Sequence, residues 1–262
     1  MEEFKITSSF CPQRDIPEPL RRQLRQEVNF GCAICGTPII EIHHIIPWNE
    51  VQAHIPSEMI ALCPTHHYRA DRQEYSKTYL RDLKKAPHNQ IMVSDEFSIQ
   101  TENIAVSVAS NIFINTPRAL TVDDFDIISI TNQGKYPLLS VNLFDEFDNW
   151  IAVIEENQWY VDRRFIWDIR YVPKHLTLRC APRDILLDLE IVDNTIFLKG
   201  TLFFNGFKIE AKEDDLFLGG KSQIQMRNST FDSCAVGCGI STGKPPFSRF
   251  KYRRMSESFV TR

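Results

Sequence analysis

The pattern of apolar and polar positions changes once along this chain, near residue 90. Before that point the apolar residues recur at helical spacing in two segments, 18–28 and 77–85, and these segments predict helices. Pro17 and Pro19 lie where the first helix would begin, and Ser76 precedes the second, in the positions that such residues prefer. After residue 90 the apolar positions fall in short, alternating runs, which predict strands.

The strand-like runs follow one another about every ten residues, with Asn, Asp and Gly between them. Such a series is typical of an all-β unit. Irregular run lengths favour a sandwich, whereas the last third, with NGFKIEA and NSTFDSCAVG, resembles the rungs of a parallel β-solenoid. The sequence therefore predicts an α+β protein in three parts, with an N-terminal module over 1–90, an all-β domain over 91–240 and a tail over 241–262.

Charge is divided unevenly among these three parts. Residues 1–90 hold 11 basic and 11 acidic side chains, residues 91–240 hold 13 and 22, and residues 241–262 hold 6 and 1, which gives the net charge of −4. Because an acidic surface opposes binding along a phosphate backbone, we expect the all-β domain to serve oligomerisation, regulation or recognition of a protein or small ligand. The tail interleaves Arg253, Arg254 and other cations with aromatic residues, which suits either nucleic-acid binding or a solvated extension.

The stretch with the most chemical information is CAICGTPIIEIHHIIPWNEVQAHIPSEMIALCPTHH, from Cys32 to His67. It contains a CxxC pair and, about thirty residues later, a CxxH pair. Two such pairs are the usual layout of a structural zinc site, because each supplies two ligands at tetrahedral angles. The predicted zinc ligands are Cys32, Cys35, Cys63 and His66.

Three further histidines of this stretch, His43, His44 and His67, are left over once the zinc ligands are assigned. A small zinc module has no structural need for three more imidazoles, so we interpret them as a second, catalytic site. Adjacent residues on a strand point to opposite faces, so His43 and His44 can share a site only where a strand ends, and Pro47 is compatible with such an end. We interpret His54 as a loop residue near the substrate and not as a ligand, with an exchange of His54 for His66 as the alternative.

The segments IEIHHIIPW and MIALCPTHH are similar to the HNH endonuclease motif in its zinc-bearing form, and the resemblance covers roughly residues 18–75. It implies a ββα-metal module in which His43 and His67 hold a catalytic divalent cation and His44 is the general base. The implied cation is Mg²⁺ or another divalent metal such as Mn²⁺, Ni²⁺ or Zn²⁺, and the implied products carry a 5′ phosphate and a 3′ hydroxyl. An imidazole that titrates near neutrality suits the removal of a proton from water.

One position departs from the family pattern. The family's asparagine lies five residues before the third zinc ligand, and this chain has Glu58 there. We expect Glu58 to hold the loop by accepting backbone N–H bonds, with a role as an additional metal ligand as the alternative.

The predicted function is that of a metal-dependent endonuclease that hydrolyses DNA, with the all-β domain as its control or localisation unit and a possible homo-oligomer or protein partner bound there. The predicted phosphate contacts are Arg21, Arg22, Arg25, Arg253 and Arg254. The alternative is a zinc-stabilised DNA- or protein-binding adaptor whose nuclease site has decayed. Family analogy suggests prokaryotic antiviral defence. The chain shows no leader and no membrane-spanning run, and its seven cysteines do not form a disulfide framework, so we expect a cytoplasmic protein without a membrane partner.

Overall fold

The computed structural model describes residues 14–133, 136–219 and 223–244. The first part of the chain is a small module of helices around one hairpin. Its elements are α1 (Glu18–Glu27), β1 (Glu41–His44), α2 (Trp48–Val51), a 3-10 turn (Pro56–Glu58), β2 (Met59–Leu62), α3 (Pro64–Asp71) and α4 (Lys77–Leu83). The two helices predicted from periodicity are α1 and α4, and the Ser76 hydroxyl caps α4 by accepting the backbone N–H of Tyr79.

The hairpin of the module sets the position of the paired histidines. Strand β1 pairs antiparallel with β2, with His43 opposite Ile60 and His44 opposite Met59. All four residues of β2 are apolar and buried, so this strand forms the centre of the module's core. Strand β1 ends at His44, and the chain bends there before Pro47. The predicted end of the strand at the two histidines is confirmed.

From Met92 onward the described chain consists of strands and turns with one 3-10 turn (Arg163–Phe165), so the all-β domain is confirmed. The strands, in chain order, are β3 (Met92–Glu96), β4 (Ala105–Val108), β5 (Asn111–Ile114), β6 (Arg118–Val122), β7 (Phe125–Gln133), β8 (Tyr136–Phe144), β9 (Trp150–Glu155), β10 (Gln158–Asp162), β11 (Asp168–Val172), β12 (His175–Ala181), β13 (Asp184–Val192), β14 (Thr195–Phe204), β15 (Phe207–Lys212), β16 (Asp215–Leu218), β17 (Ile224–Met226), β18 (Thr230–Asp232) and β19 (Val236–Ile240).

Strand pairing arranges the domain in two ladders that meet at β14. One ladder has the order β3–β10–β9–β8–β7–β6–β19. The other has the order β11–β12–β13–β14–β4–β5–β18. The second half of β14 leaves this ladder, pairs with β15 and contacts β8, where Phe203 lies opposite Phe144. Long strand β14 therefore joins the two ladders.

Gly200 is the point at which β14 changes partners. Up to Lys199 the strand pairs with β13, and from Gly200 onward it pairs with β15. Gly200 has a φ of +145°, and a Cβ at this position would lie 2.3 Å from the backbone oxygen of Leu186. Only glycine permits this backbone conformation and this close approach of two strands.

A single apolar core lies between the ladders, and it includes residues of both, among them Val141 of β8 and Leu189 of β13. The solenoid alternative for the last third of the domain is corrected: a parallel solenoid stacks successive strands in parallel, whereas β15, β16 and β17 pair antiparallel with one another. No helix among the described residues is long and apolar enough to cross a membrane.

Helix α1 attaches the N-terminal module to the all-β domain. Arg25 donates two hydrogen bonds to the buried carboxylate of Asp168 in β11, at 3.0 and 2.9 Å, and Gln26 donates to the backbone oxygen of Trp167 at 2.7 Å. The guanidinium of Arg22 lies 4.1 Å above the Trp167 ring. The two parts thus share a contact made of an ion pair, a hydrogen bond and a cation–π stack.

Candidate functional site

The four predicted zinc ligands lie together at one end of the hairpin. Their ligand atoms all fall within 4.8 Å of one another, and the sulfurs of Cys35 and Cys63 are 3.8 Å apart. Nδ1 of His66 lies 3.4 Å from the Cys32 sulfur and 3.1 Å from the Cys63 sulfur. A tetrahedral zinc ion with Zn–S bonds of about 2.3 Å separates two sulfurs by about 3.8 Å, so this donor set fits zinc.

The electrostatics of the cluster also fit a cation. Burial, together with the neighbouring sulfurs of Cys32 and Cys63, raises the pKa of the Cys35 thiol to about 12. The Cys35 thiol loses its proton readily only beside a positive charge, and zinc supplies that charge. Burial and Arg69 lower the pKa of His66, which keeps its imidazole in the neutral form that a ligand needs.

A second cluster of metal-ligand type is formed by His43, His67 and Asp71. Nδ1 of His43 lies 3.2 Å from one oxygen of Asp71, and Nδ1 of His67 lies 3.4 Å from the other. The ligand atoms of the three residues lie within 4.8 Å of one another. Two imidazoles and a carboxylate that leave further coordination positions open suit a catalytic divalent cation. Burial and His67 lower the pKa of His43, which favours its neutral, metal-binding form.

The predicted general base, His44, follows His43 directly, and both side chains line one cavity. Its Nε2 lies 3.3 Å from Nδ1 of His54, and its ring packs edge-on against Trp48 at a centroid distance of 5.7 Å. Burial and His54 lower the pKa of His44. A neutral imidazole has a lone pair with which to accept a proton, so His44 has the protonation state that a base requires.

The cavity that contains both His43 and His44 has a volume of about 800 Å³. Its wall is formed by the segment before α1 together with Arg21 of α1, by the end of β1 with the turn and helix α2 that follow, and by α3 with α4 and the residues between them. Three cationic side chains line it, namely Arg14, Arg21 and Lys77. Cations around a cluster of metal ligands are suited to hold phosphate oxygens.

Glu58 has neither of the roles expected for it. Its carboxylate accepts three hydrogen bonds from the guanidinium of Arg81, at 2.8 to 3.0 Å, and thereby ties the turn before β2 to α4. Within the described part of the chain its side chain accepts no backbone N–H, and it is not a member of the ligand cluster of His43, His67 and Asp71. Glu58 stabilises the frame of the site through an ion pair, which corrects its prediction as a catalytic residue.

The predicted phosphate contacts on α1 have different positions. Arg21 lines the cavity beside the histidines and donates to the backbone oxygen of Ile16 at 2.9 Å. Arg25 is buried, and Glu18 and Asp168 hold its guanidinium, while Arg22 stacks on Trp167. The structure gives Arg22 and Arg25 a role in joining the two domains in place of the predicted phosphate contact. Arg253 and Arg254 lie outside the described residues.

Sequence reasoning missed Asp71. The residue lies four positions after His67 in α3, and side chains separated by four positions lie on the same face of a helix. The spacing of HYRAD was therefore a signal that a carboxylate accompanies the last histidine. Arg14 and Lys77 were also missed, because only the folded module brings the segment before α1 next to the start of α4.

The hairpin β1–β2 and helix α3 form a ββα module with one cluster suited to structural zinc and a second cluster of metal-ligand type. Residues 32–72 match the family model described as HNH endonuclease, which confirms the predicted resemblance for that segment. No curated protein and no solved structure matches the chain.

Proposed function

We propose that this protein is a metal-dependent endonuclease that hydrolyses phosphodiester bonds of DNA. The observation that carries the proposal is the position of His44 at the cavity that also contains His43, His67 and Asp71. A base and a set of metal ligands at one cavity are the two components that phosphodiester hydrolysis requires.

In this mechanism His43, His67 and Asp71 would hold the divalent cation, which would relieve negative charge on the scissile phosphate. His44 takes a proton from the attacking water, and the hydroxide so formed attacks phosphorus. The cationic side chains of Arg21 and Lys77 hold neighbouring phosphates and thereby set the register of the DNA. The bond between phosphorus and the 3′ oxygen breaks, so one product carries a 5′ phosphate, and the departing 3′ oxygen takes a proton from solvent water and becomes a hydroxyl.

The ligand atoms of His43, His67 and Asp71 also indicate which metals the site prefers. Imidazole nitrogens suit Mn²⁺, Ni²⁺ and Zn²⁺ as well as or better than Mg²⁺, while a carboxylate suits all four. We therefore expect activity with more than one of these cations, and greater affinity for the transition metals than for Mg²⁺.

We propose that the all-β domain controls or localises the nuclease, through a protein partner, a small ligand or a second copy of the chain. Its surplus of acidic residues, 22 against 13 basic ones over residues 91–240, supports a role away from the phosphate backbone. A role in antiviral defence is an analogy drawn from the HNH family. A cytoplasmic location remains an expectation.

The test is cleavage of supercoiled plasmid by full-length protein that holds one equivalent of zinc, enough for the cysteine cluster alone, with Mg²⁺, Mn²⁺, Ni²⁺ or further Zn²⁺ added separately. Wild-type protein should nick or linearise the plasmid only with an added cation. His44→Ala should lower the cleavage rate by about two to four powers of ten, because the general base is lost. Its zinc content and DNA affinity should equal those of the wild type.

Two outcomes would contradict the proposal. If His44→Ala cleaves at the wild-type rate, another residue is the base. If the zinc-loaded wild type binds DNA but leaves it intact with every cation, the protein is the zinc-stabilised adaptor that the sequence left as the alternative.

A further inference from the structure

His54 lies against the predicted general base, although sequence reasoning gave it no role. It follows α2 in the loop that leads to the turn at Pro56. Its Nδ1 is 3.3 Å from Nε2 of His44, and its ring packs on Trp48 with a centroid distance of 4.7 Å. The rings of His44, Trp48 and His54 thus form one contact group.

The other ring nitrogen of His54, Nε2, is buried and has no hydrogen-bond partner among the described residues. A buried polar atom without a partner costs free energy, so such an atom calls for an explanation. The cluster of metal ligands does not provide it, since that cluster consists of His43, His67 and Asp71.

The contact between the two histidines restricts their tautomers. A neutral imidazole carries one N–H and one lone pair, so a hydrogen bond between Nε2 of His44 and Nδ1 of His54 needs one of the two atoms to donate. If His54 donates, the single lone pair of His44 is occupied, and His44 has no free atom with which to accept a proton. If His44 donates from Nε2, its Nδ1 keeps a free lone pair. Only the second arrangement leaves His44 able to act as a base.

We propose that His54 is a positioning residue that holds His44 in the tautomer with its proton on Nε2, so that Nδ1 of His44 is the atom that accepts the proton from water. The inference rests on the proposed role of His44 as general base. In the step, the O–H bond of water breaks, its proton binds Nδ1 of His44, and the hydroxide attacks phosphorus. The Nε2–H of the resulting imidazolium continues to donate to His54, which remains neutral. The buried Nε2 of His54 then carries its proton and stays without a partner among the described residues, a cost that the hydrogen bond to His44 must offset.

This arrangement follows the logic by which an acceptor orients a catalytic histidine in hydrolases, with an imidazole in place of a carboxylate. A neutral acceptor fixes the tautomer without adding a negative charge beside the DNA phosphates. The competing explanation is that His54 only packs on Trp48 and shapes the loop. The two explanations differ in what they require of the side chain: positioning requires a hydrogen-bond acceptor, and packing requires a ring.

Three variants of the full-length protein separate these requirements. His54→Asn has an amide oxygen close to the place of Nδ1 and no ring. His54→Phe has a ring and no acceptor. His54→Leu has neither. His44→Ala serves to assign the signals of His44.

The first measurement is the tautomer of His44, from long-range ¹H–¹⁵N correlation spectra of zinc-loaded protein with ¹⁵N-labelled histidine. We expect the Nε2–H tautomer in the wild type and in His54→Asn, and a mixture of tautomers in His54→Phe and His54→Leu. A wild-type His44 with its proton on Nδ1, or the same tautomer in all four proteins, would overturn the proposal. This measurement needs no cleavage, so it decides the tautomer even if the proposed nuclease function fails.

The second measurement is the rate of single-turnover plasmid cleavage at saturating protein, with DNA affinity measured separately. We expect His54→Phe and His54→Leu to cleave at least about tenfold more slowly with unchanged affinity, since loss of an orienting acceptor reduces the chemical step by up to about 10⁴-fold in hydrolases. His54→Asn should recover most of the rate. A normal rate in His54→Phe together with a slow His54→Asn would show that packing is the role of His54 and would refute positioning.

Discussion

Asp71 shows how a single carboxylate changes the interpretation of two histidines. His43 and His67 alone are two neutral nitrogen donors, and both have Asp71 oxygens within 3.4 Å. The carboxylate adds negative charge, so the group of three attracts a divalent cation more strongly than the histidines would alone. Asp71 is also more than half exposed, so the cation site faces the cavity from which DNA would approach.

Replacement of Asp71 by Asn tests whether the carboxylate strengthens binding of the divalent cation. We expect the concentration of divalent cation needed for half-maximal cleavage to rise at least about tenfold. Even the loss of a residue that only hydrogen-bonds to a metal ligand typically weakens metal binding by about 10- to 100-fold. The zinc content should stay the same, because Asp71 is not part of the zinc cluster. Glu74→Gln is the control, since Glu74 pairs with Arg69 at 2.7 Å and lies outside both clusters. An unchanged cation requirement in Asp71→Asn would show that Asp71 is not a ligand.

Helix α3 connects the two clusters at the scale of the element. His66 and His67 are consecutive, so their side chains leave the helix about 100° apart, one toward the cysteines and the other toward His43. Cys63 precedes the helix as its cap, because its sulfur accepts the backbone N–H of His66 at 3.5 Å. Zinc binding and the orientation of His67 therefore depend on the same helix.

Cys63→Ser should consequently affect both clusters. We expect the loss of about one equivalent of zinc and the unfolding of the N-terminal module, since structural zinc contributes on the order of 10 kcal/mol to the folding of small modules. Zinc content by atomic spectroscopy and protection of the two parts from protease measure these effects. Cys234→Ser is the control, because Cys234 contacts the backbone oxygen of Asp232 and lies outside the zinc cluster. Retention of zinc by Cys63→Ser would contradict the assignment of the ligands.

Helix α1 is the element that joins the module to the all-β domain, and Arg25 is its most buried charge. We expect Arg25→Ala to destabilise the folded protein by about 3–5 kcal/mol, because it leaves the buried carboxylate of Asp168 without its partner. The double variant Arg25→Met with Asp168→Leu should be less destabilised than Arg25→Ala, since it removes both charges. Denaturant unfolding measures the difference.

Gln23→Ala on the exposed face of α1 is the control for this series, since Gln23 donates only to Glu27 of the same helix in the described contacts. It should change stability little. Equal effects of Gln23→Ala and Arg25→Ala would mean that the ion pair does not hold α1 against β11.

At the scale of the whole molecule, the positions of the cationic side chains distinguish the surface at the candidate site, which would bind DNA, from the contact between α1 and the all-β domain, which would not. Arg21 and Lys77 line the cavity of the candidate site, whereas Arg22 packs against Trp167 of the acidic domain. Each phosphate contact that a protein makes with duplex DNA contributes about 0.9 to the slope of affinity against salt concentration on logarithmic scales. The position of an arginine in the fold, and not its presence in the sequence, therefore decides its contribution.

The double variant Arg21→Ala with Lys77→Ala should weaken DNA binding and reduce the magnitude of the salt slope by about 2. Arg22→Ala should leave the slope unchanged, although α1 loses its stack on Trp167. Fluorescence anisotropy with labelled duplex at several salt concentrations measures both variants. A reduced slope in Arg22→Ala alone would place the DNA on the other side of α1.

The sequence by itself determined the local features of this protein. Ligand spacing predicted the zinc cluster of Cys32, Cys35, Cys63 and His66, because two-residue spacings fix the geometry of each pair. The pairing of His43 with His67 was predicted from family resemblance, and the all-β character from the alternation of apolar positions. These features depend on residues that are close in the sequence or that belong to a known motif.

The tertiary structure decided the features that depend on distant parts of the chain. The meeting of Arg25 with Asp168 spans 143 positions, and no local pattern in α1 distinguishes a buried arginine from one that binds phosphate. Glu58 meets Arg81, 23 positions later, because α4 packs on the turn before β2. His54 meets His44, ten positions earlier, across the short helix α2. Long-range pairing is set by the packing of complete elements, which a residue pattern in one segment does not encode.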